Sequence, residues 1–370
     1  MVDADEVKYL IGLSFFEGIG PVRYRVLKSY FGSAKAIFSA SNDELRQTGI
    51  GTQLVEKFTH FRDAVDLSSY QGELTKKGVR VITEKDSEYP KLLRETSAAP
   101  FILYALGDTT LLKHELKLAV VGTRRPTSYG IQVTKTFARE LAAAGYCIVS
   151  GMAMGVDAVA HMAALDALGS TIAVLGCGVD ICYPAVNRGV YQQLIKRGLI
   201  LSEFPPGTRT SKGVFPSRNR IVAGLCRGVV VTEGARDSGS LITAGFALDF
   251  GRDVFAVPGP ITSQMSEAPT ELLKHGAKPV ARTIDILEEY EDTRKKQSVQ
   301  SDALLSTLTD EERIVVRLVA QEGSLHIDEL VRKIDQSPAL TFSIISALEI
   351  RGILEQVASG TYSIGIGKHA

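Results

Sequence analysis

Tryptophan is absent from this chain, cysteine is scarce, and the charges cancel, with 42 Lys and Arg against 42 Asp and Glu. The four cysteines, Cys147, Cys177, Cys182 and Cys226, form no C-x-x-C pair, and each lies in or beside an apolar segment. That favours small buried residues over metal ligands or a disulfide framework. The six histidines show no H-x-x-x-H spacing, so no metal site is expected. No apolar run approaches the roughly 18–20 residues of a membrane span. The N-terminus opens acidic, and its apolar stretch is short and interrupted, unlike a signal peptide. A cytoplasmic protein without a membrane partner is therefore expected. Nor is there a G-x-G-x-x-G, a G-x-x-x-x-G-K-[ST] or a G-x-S-x-G. Dinucleotide, P-loop and hydrolase-elbow chemistry are not indicated, so no cofactor and no catalytic residue are assigned.

What is present is a globular composition, 45% hydrophobic over 370 residues, enough for two or three domains. The zero net charge conceals an asymmetry. Residues 119–260 hold 14 Lys/Arg and 9 Asp/Glu, whereas residues 283–370 hold 9 and 15. The middle of the chain suits a polyanion and its C-terminal part does not.

The periodicity divides the chain into four segments. Residues 1–75 carry apolar positions at helical spacing, as in "EVKYLIGLSFF" and "RYRVLKSYF", interrupted by two "GIG" tripeptides at 18–20 and 49–51. Each tripeptide fits a helix-hairpin-helix turn that approaches a phosphate, but a plain helix cap is the simpler reading, since the second lacks basic neighbours. Residues 76–284 begin with short strands and turns. From 118 onward, near-continuous apolar strands ("LAVVG", "CIVSG", "STIAVLGCG", "LILSEF", "GVVVTE", "DVFAVPG") alternate with helices. Buried parallel strands covered on both faces give that pattern. The expectation is an α/β, extended Rossmann-like, doubly wound and mostly parallel sheet. Residues 285–303 read as a polar linker, and residues 304–370 as a winged helix.

Ligands of open parallel sheets sit beyond the carboxyl ends of the strands. Gly122-Thr123-Arg124, the run from Ser150 and Gly151 to Gly155, and Ser238-Gly239-Ser240 all fall there. Glycine lets the backbone approach a phosphate, helix N-terminal amides point at it, and Arg124 adds a bidentate donor. Asp157 and His161, four apart on one helix, form either an acid–base pair or a packing pair. Glu233 and Asp237 are either acid and base or, for Asp237 with Ser238, a helix cap. The stretch "SKGVFPSRNRIVAG" (211–224) concentrates Lys212, Phe215, Arg218, Asn219 and Arg220. Pro216 disfavours helical backbone at Phe215. Phe215 is then an extended, loop-borne ring able to stack a base while Lys212 meets a phosphate, with Arg218 and Arg220 extending the positive surface. A ring tucked into the core fits the same residues.

Seven segments in order, "GTRRPTSYG", "SGMAMGVDAVAHMAAL", "LGCGVDICYPAVN", "SEFPPG", "FPSRNRIVAGL", "EGARDSGSLITAGFAL" and "VFAVPGPI", closely resemble the DprA (DNA-processing protein A, or Smf) family over about 78–283. The resemblance implies a helical, SAM-like domain before the Rossmann-like one and often a winged helix after it. It implies a non-enzymatic protein that binds single-stranded DNA taken up in natural transformation. Such a protein protects the strand, loads RecA onto it and forms a homodimer through the Rossmann-like domain. Carried over by motif, Gly122, Thr123 and Arg124 match the G-[ST]-R segment. Lys212 and Phe215 match K-x-x-F-P, and Arg218, Asn219 and Arg220 match the R-N-R run, whose members either touch DNA or shape the loop. The competing reading is a nucleotide-processing enzyme of the phosphoribohydrolase type, in which Glu233 would have to act alone. In the winged helix the third helix has only Arg351 as a basic residue, which fits a protein contact better than duplex reading.

Overall fold

The structure is a computed structural model that describes residues 4–211, 213–290, 308–322, 324–334, 337–351 and 353–364. It divides into two compact units, residues 1–286 and 287–370.

The first unit opens with six helices: α1 (Ala4–Phe15), α2 (Pro21–Phe31), α3 (Ala34–Ser39), α4 (Asn42–Gln47), α5 (Thr52–Ala64) and α6 (Leu67–Lys76). Their starts follow local chemistry. Ser33 and Asp66 accept backbone N–H bonds at the heads of α3 and α6, and Ser41 with Glu44 forms a reciprocal capping box on α4. The two "GIG" tripeptides precede α2 and α5, with Gly20 and Gly51 at the N-cap positions.

A nine-stranded sheet follows, built from β1 (Arg80–Thr83), β2 (Ile102–Gly107), β3 (Lys117–Val121), β4 (Cys147–Ser150), β5 (Thr171–Val174), β6 (Leu199–Ser202), β7 (Gly228–Val231), β8 (Asp253–Ala256) and β9 (Lys278–Pro279). Its spatial order is β1-β2-β6-β5-β4-β3-β7-β8-β9. The strands from β6 to β9 run parallel, and β2 pairs antiparallel with β1 and β6. Between strands lie α7 (Lys91–Arg94), α8 (Ser128–Ala143), α9 (Val156–Asp166), α10 (Arg188–Arg197), α11 (Val214–Gly224), α12 (Gly239–Asp249) and α13 (Glu267–Lys274). From β3 the chain builds outward through β4, β5 and β6, then returns to place β7 on the other side of β3. This reversal opens a crevice beyond the carboxyl ends of β3 and β7.

Side-chain alternation assigns the two faces. Ile172, Val174, Leu199 and Leu201 point into a core shared with Ile221 and Val222 of α11 and Ala244 and Ala247 of α12. Ala173, Leu175 and Ile200 point the other way, into a core shared with Leu13, Leu27, Ile37 and Phe58 of the helical segment. That segment therefore packs on the α/β sheet rather than standing apart from it. A fully buried Tyr104 on β2 pins the contact, its hydroxyl 2.6 Å from Ser14 Oγ on α1.

The second unit contains α14 (Asp310–Glu322), β10 (Ser324–His326), α15 (Ile327–Lys333), α16 (Pro338–Ile350), β11 (Leu354–Ala358) and β12 (Thr361–Ile364), with an antiparallel sheet in the order β10-β12-β11. Val315, Val319, Leu330, Ile345 and Leu348 form its core. Helices and strands follow in the order expected from the sequence. Most of the expected linker, 285–303, lies outside the described residues.

Because Ser14 Oγ also donates to the Ile11 carbonyl, Tyr104→Phe leaves no orphaned partner and removes a single, partly buried hydrogen bond. A loss of about 1 kcal/mol is expected, read as a lower urea midpoint at unchanged slope.

Candidate nucleic-acid interface

A cavity of about 570 Å³ occupies the crevice at the sheet reversal. Its walls come from the segments after β3 (Gly122–Arg125), β4 (Gly151, Ala153) and β7 (Ala235, Asp237–Ser240), and from Phe215, Pro216, Arg218 and Asn219 of α11. The elements that sequence reasoning singled out thus converge on one edge. Arg124 and Arg125 are exposed there, and the Arg124 guanidinium lies over the Phe215 ring, 5.3 Å from its centroid. A larger open groove of about 830 Å³ lies elsewhere, near Glu6, Lys35, Arg80 and Glu88. Two of its cations are neutralised locally, Lys35 by Asp5 and Arg80 by Glu88, each at 2.9 Å, while Lys85 is exposed.

Phe215 differs from the sequence expectation. It is not on an extended loop but in the first turn of α11, which starts at Val214 behind Gly213. Gly213 has φ 92°, a left-handed value that glycine adopts freely. A proline within the first turn removes no helical hydrogen bond, because those amides have no partner in the helix. The steric bias at the residue before proline is outweighed here by the helix that follows. Phe215 is half-buried at the cavity wall, and Lys212 lies outside the described residues.

Arg218 and Arg220 also depart from expectation. They do not extend a positive surface, being only 4% and 7% exposed. On α11 they point inward, toward the sheet edge. Arg218 Nη1 donates to the carbonyl of Val174 at the end of β5. A Cβ on Gly151 would fall 1.9 Å from that nitrogen, so a side chain there would displace the guanidinium. Burial lowers the Arg218 pKa, and the Asp157 carboxylate opposes the shift. Arg220 pairs with Glu203 at the end of β6, their side chains 8% and 12% exposed. Burial raises the Glu203 pKa while the Arg220 charge lowers it. Asn219 bridges to the head of α12, its Nδ2 donating to the Gly239 carbonyl at 3.2 Å.

The expected phosphate cradle divides in two. After β4, the amides of Gly151 and Ala153 donate to Asp157 at 3.1 and 3.3 Å, and Ser150 Oγ donates to the Val120 carbonyl. A carboxylate of the chain itself takes the anion's place, so this loop does not present a phosphate nest. Gly155, with φ 80°, is required by close packing, since a Cβ would meet the Thr123 carbonyl at 2.5 Å. After β7 the arrangement is open. Ser238 caps α12 by accepting from Ser240 N, and exposed Gly239 begins the helix at the cavity. Its N-terminal dipole faces the same space as Arg124 and Arg125. Gly122 and Thr123 lie opposite, with Thr123 N bonded to the Glu233 carbonyl at 2.7 Å.

Of the acid–base candidates, Glu233, Asp157 and His161 are engaged structurally, whereas Asp237 is exposed on the cavity wall. The Glu233 carboxylate accepts from Thr127 N at 2.8 Å and Thr127 Oγ1 at 2.6 Å. His161 does not bond Asp157. Its Nδ1 lies 2.7 Å from Thr171 Oγ1, whose own proton goes to the Ile148 carbonyl. Nδ1 must therefore be the donor, which leaves a bare, buried Nε2. Burial, reinforced by the Arg218 charge, holds the His161 pKa down to about 3.

Sequence reasoning reads Asn187 only as the N-cap of a helix and passes over Tyr183. Asn187 stands at the α10 N-cap position, but its amide donates to the Met152 and Ala153 carbonyls at 2.9 and 3.1 Å, fixing the loop after β4. Tyr183, in the β5–α10 connection, lies against Phe215, with ring centroids 5.7 Å apart and planes at 30°. Nothing in one sequence indicates that residues 183 and 215 meet.

A family model described as DNA recombination-mediator protein A matches residues 80–291. Protein Smf of Synechocystis is 37% identical over 279 residues, which cover 74% of this chain and 70% of that protein. The X-ray structure of DNA processing protein A from Streptococcus pneumoniae superposes with a TM-score of 0.66 at 35% identity, covering 78% of this chain and 99% of that one. The Helicobacter pylori DNA processing protein A, whose structure concerns its single-stranded DNA binding mode, matches with a TM-score of 0.53 at 36% identity. That match covers 58% of this chain and 96% of that one.

Two outcomes follow from the buried groups. Arg220→Ala strands the Glu203 carboxylate and is expected to cost about 3–5 kcal/mol, whereas Arg220→Met with Glu203→Leu restores most of the loss in chemical denaturation. His161 has a folded pKa near 3 against 6.5 unfolded, so the unfolded chain binds the extra proton between those values. Stability falls as pH drops from about 6.5 toward 3 and is complete above 6.5. His161→Met should flatten that slope in urea midpoints measured from pH 7 to pH 4.

Proposed function

Because the chain belongs to the DNA recombination-mediator protein A family, we propose that it binds single-stranded DNA as a recombination mediator. In this role it protects incoming strands and loads RecA onto them during natural transformation, acting as a homodimer through the Rossmann-like domain. The RecA, transformation and dimer parts of this reading rest on family membership. The DNA-binding part rests on the site.

One observation carries it. At the sheet reversal an exposed guanidinium and an aromatic ring are stacked against each other, Arg124 over Phe215, beside the open head of α12. A ring stacks any base through its face, while a guanidinium and helix-terminal amides take the phosphate beside it. Neither contact reads base identity, so the site suits a strand of any sequence. Lys212, three residues before Phe215, adds a phosphate contact in this reading. Arg218, Asn219 and Arg220 then shape the platform rather than touch the strand.

The reading is of a binding protein, not an enzyme. A phosphoribohydrolase would need Glu233 as a free carboxylate, and both of its oxygens accept bonds from Thr127. In the second unit, Arg351 at the end of α16 pairs with Glu312 at 3.0 Å. Leu340, Phe342 and Ile350 of that helix are exposed. A neutral, apolar third helix supports a protein contact rather than duplex recognition.

Titration of labelled oligo-dT against duplex of equal length, at two salt concentrations, tests the reading. Tight, salt-weakened binding to oligo-dT and weaker binding to duplex are expected. Phe215→Ala should weaken oligo-dT binding by about 1–3 kcal/mol. Arg124→Ala and Lys212→Ala should each weaken it and reduce the salt slope by about 0.7. Wild-type affinity in all three variants would place the site elsewhere.

A further inference from the structure

We propose that Tyr183 is a second nucleobase platform, the first aromatic surface an incoming strand meets. The inference rests on the single-strand reading of the site and adds a contact to it.

Phe215 is sheltered, half-buried with the Arg124 guanidinium and the Tyr183 ring against it. Tyr183 is the freer ring, 42% exposed, and no hydroxyl bond ties it to another described residue. The two rings, with Arg124, Met154 and Arg218, border a small hollow of about 40 Å³ next to the main cavity. A base inserted between two rings needs about 7 Å, twice the roughly 3.4 Å rise of stacked bases. At 5.7 Å the rings are too close for that. Each ring instead takes its own base, and the strand is held at two consecutive points with cations alongside.

The Tyr183 backbone is fixed from several directions. Asn187 anchors one flank to Met152 and Ala153. Tyr191 donates to the Val179 carbonyl at 2.6 Å, and Asp180 accepts from Gly207 N at 2.8 Å on the other. A ring presented on a fixed loop loses little conformational freedom when a base stacks on it, and tyrosine brings only two side-chain torsions. An exposed aromatic ring on such a loop, beside a cation and a second ring, matches the chemistry of a nucleobase in a single strand.

The chain has no tryptophan, so Tyr183→Trp places a single indole at this position in the full-length protein. Titration with unlabelled oligo-dT should quench its emission saturably, at the concentrations where labelled oligo-dT binds by anisotropy. Duplex of the same length should quench it far less. In the anisotropy assay, Tyr183→Ala should weaken binding about 5- to 150-fold, whereas Tyr183→Phe stays within about twofold of wild type. Thermal melting of Tyr183→Ala separates lost folding from lost contact. If wild type binds oligo-dT while the indole emission stays unchanged and Tyr183→Ala binds normally, the second platform is refuted and the single-strand reading stands. Equal weakening by Tyr183→Phe would also refute it, since a hydroxyl contact rather than a ring face would then be responsible. If wild type does not bind oligo-dT at all, both fall together.

Discussion

A guanidinium held out of water organises the carboxyl edge of this sheet. Arg218 reaches from α11 under the loops, donates to the carbonyl of Val174 and fills the space that Gly151 leaves by having no side chain. Its charge is opposed by Asp157, which itself holds the amides of Gly151 and Ala153. Four elements, β4, β5, α9 and α11, are thereby fixed relative to one another. A buried cation tolerates little displacement, because moving it costs desolvation without compensation. Phe215, one turn earlier on α11, inherits its position from this anchor.

The internal carboxylates decide which parts of the edge remain available. Asp157 satisfies the loop after β4, and Glu233 ties the loop after β3 to the end of β7. Both loops carry the glycines and helix starts of an anion site, yet the amides of Gly151, Ala153, Thr123, Arg125 and Thr127 bond within the protein. The head of α12 keeps its exposed glycine, and Arg124 and Arg125 keep their exposure. The field that a strand would meet is thus narrower than the motifs suggest: two guanidinium groups and one helix terminus, with the exposed Asp237 carboxylate on the same wall, flanked by two rings.

The two basic runs serve opposite ends. Arg124 and Arg125 follow β3 at the mouth of the crevice and point outward. Arg218 and Arg220 lie on α11 two positions apart, and each finds a buried acceptor, a strand-end carbonyl or Glu203. Local sequence treats both runs as positive surface. Which becomes surface and which becomes scaffold depends on the partners that other strands deliver.

The α/β class, the strand and helix alternation from residue 118 and the gathering of the site segments at strand ends are all legible in the order of residues. Continuous apolar runs and the glycines after them are local signals, and they survive because each strand carries its own burial pattern. The family resemblance was equally legible, since its motifs are contiguous. The folded chain adds what spacing cannot encode. It placed Phe215 inside a helix, because a proline in a first turn is harmless there. It packed the first six helices against the sheet, because Ala173, Leu175 and Ile200 face them. It buried Arg218 and Arg220, filled a glycine loop with Asp157, and brought Tyr183 to Phe215 across 32 positions. Each of these is a pairing between residues far apart in the chain, and the free energy of a buried charge or a ring contact depends on the partner, not on the neighbours in sequence.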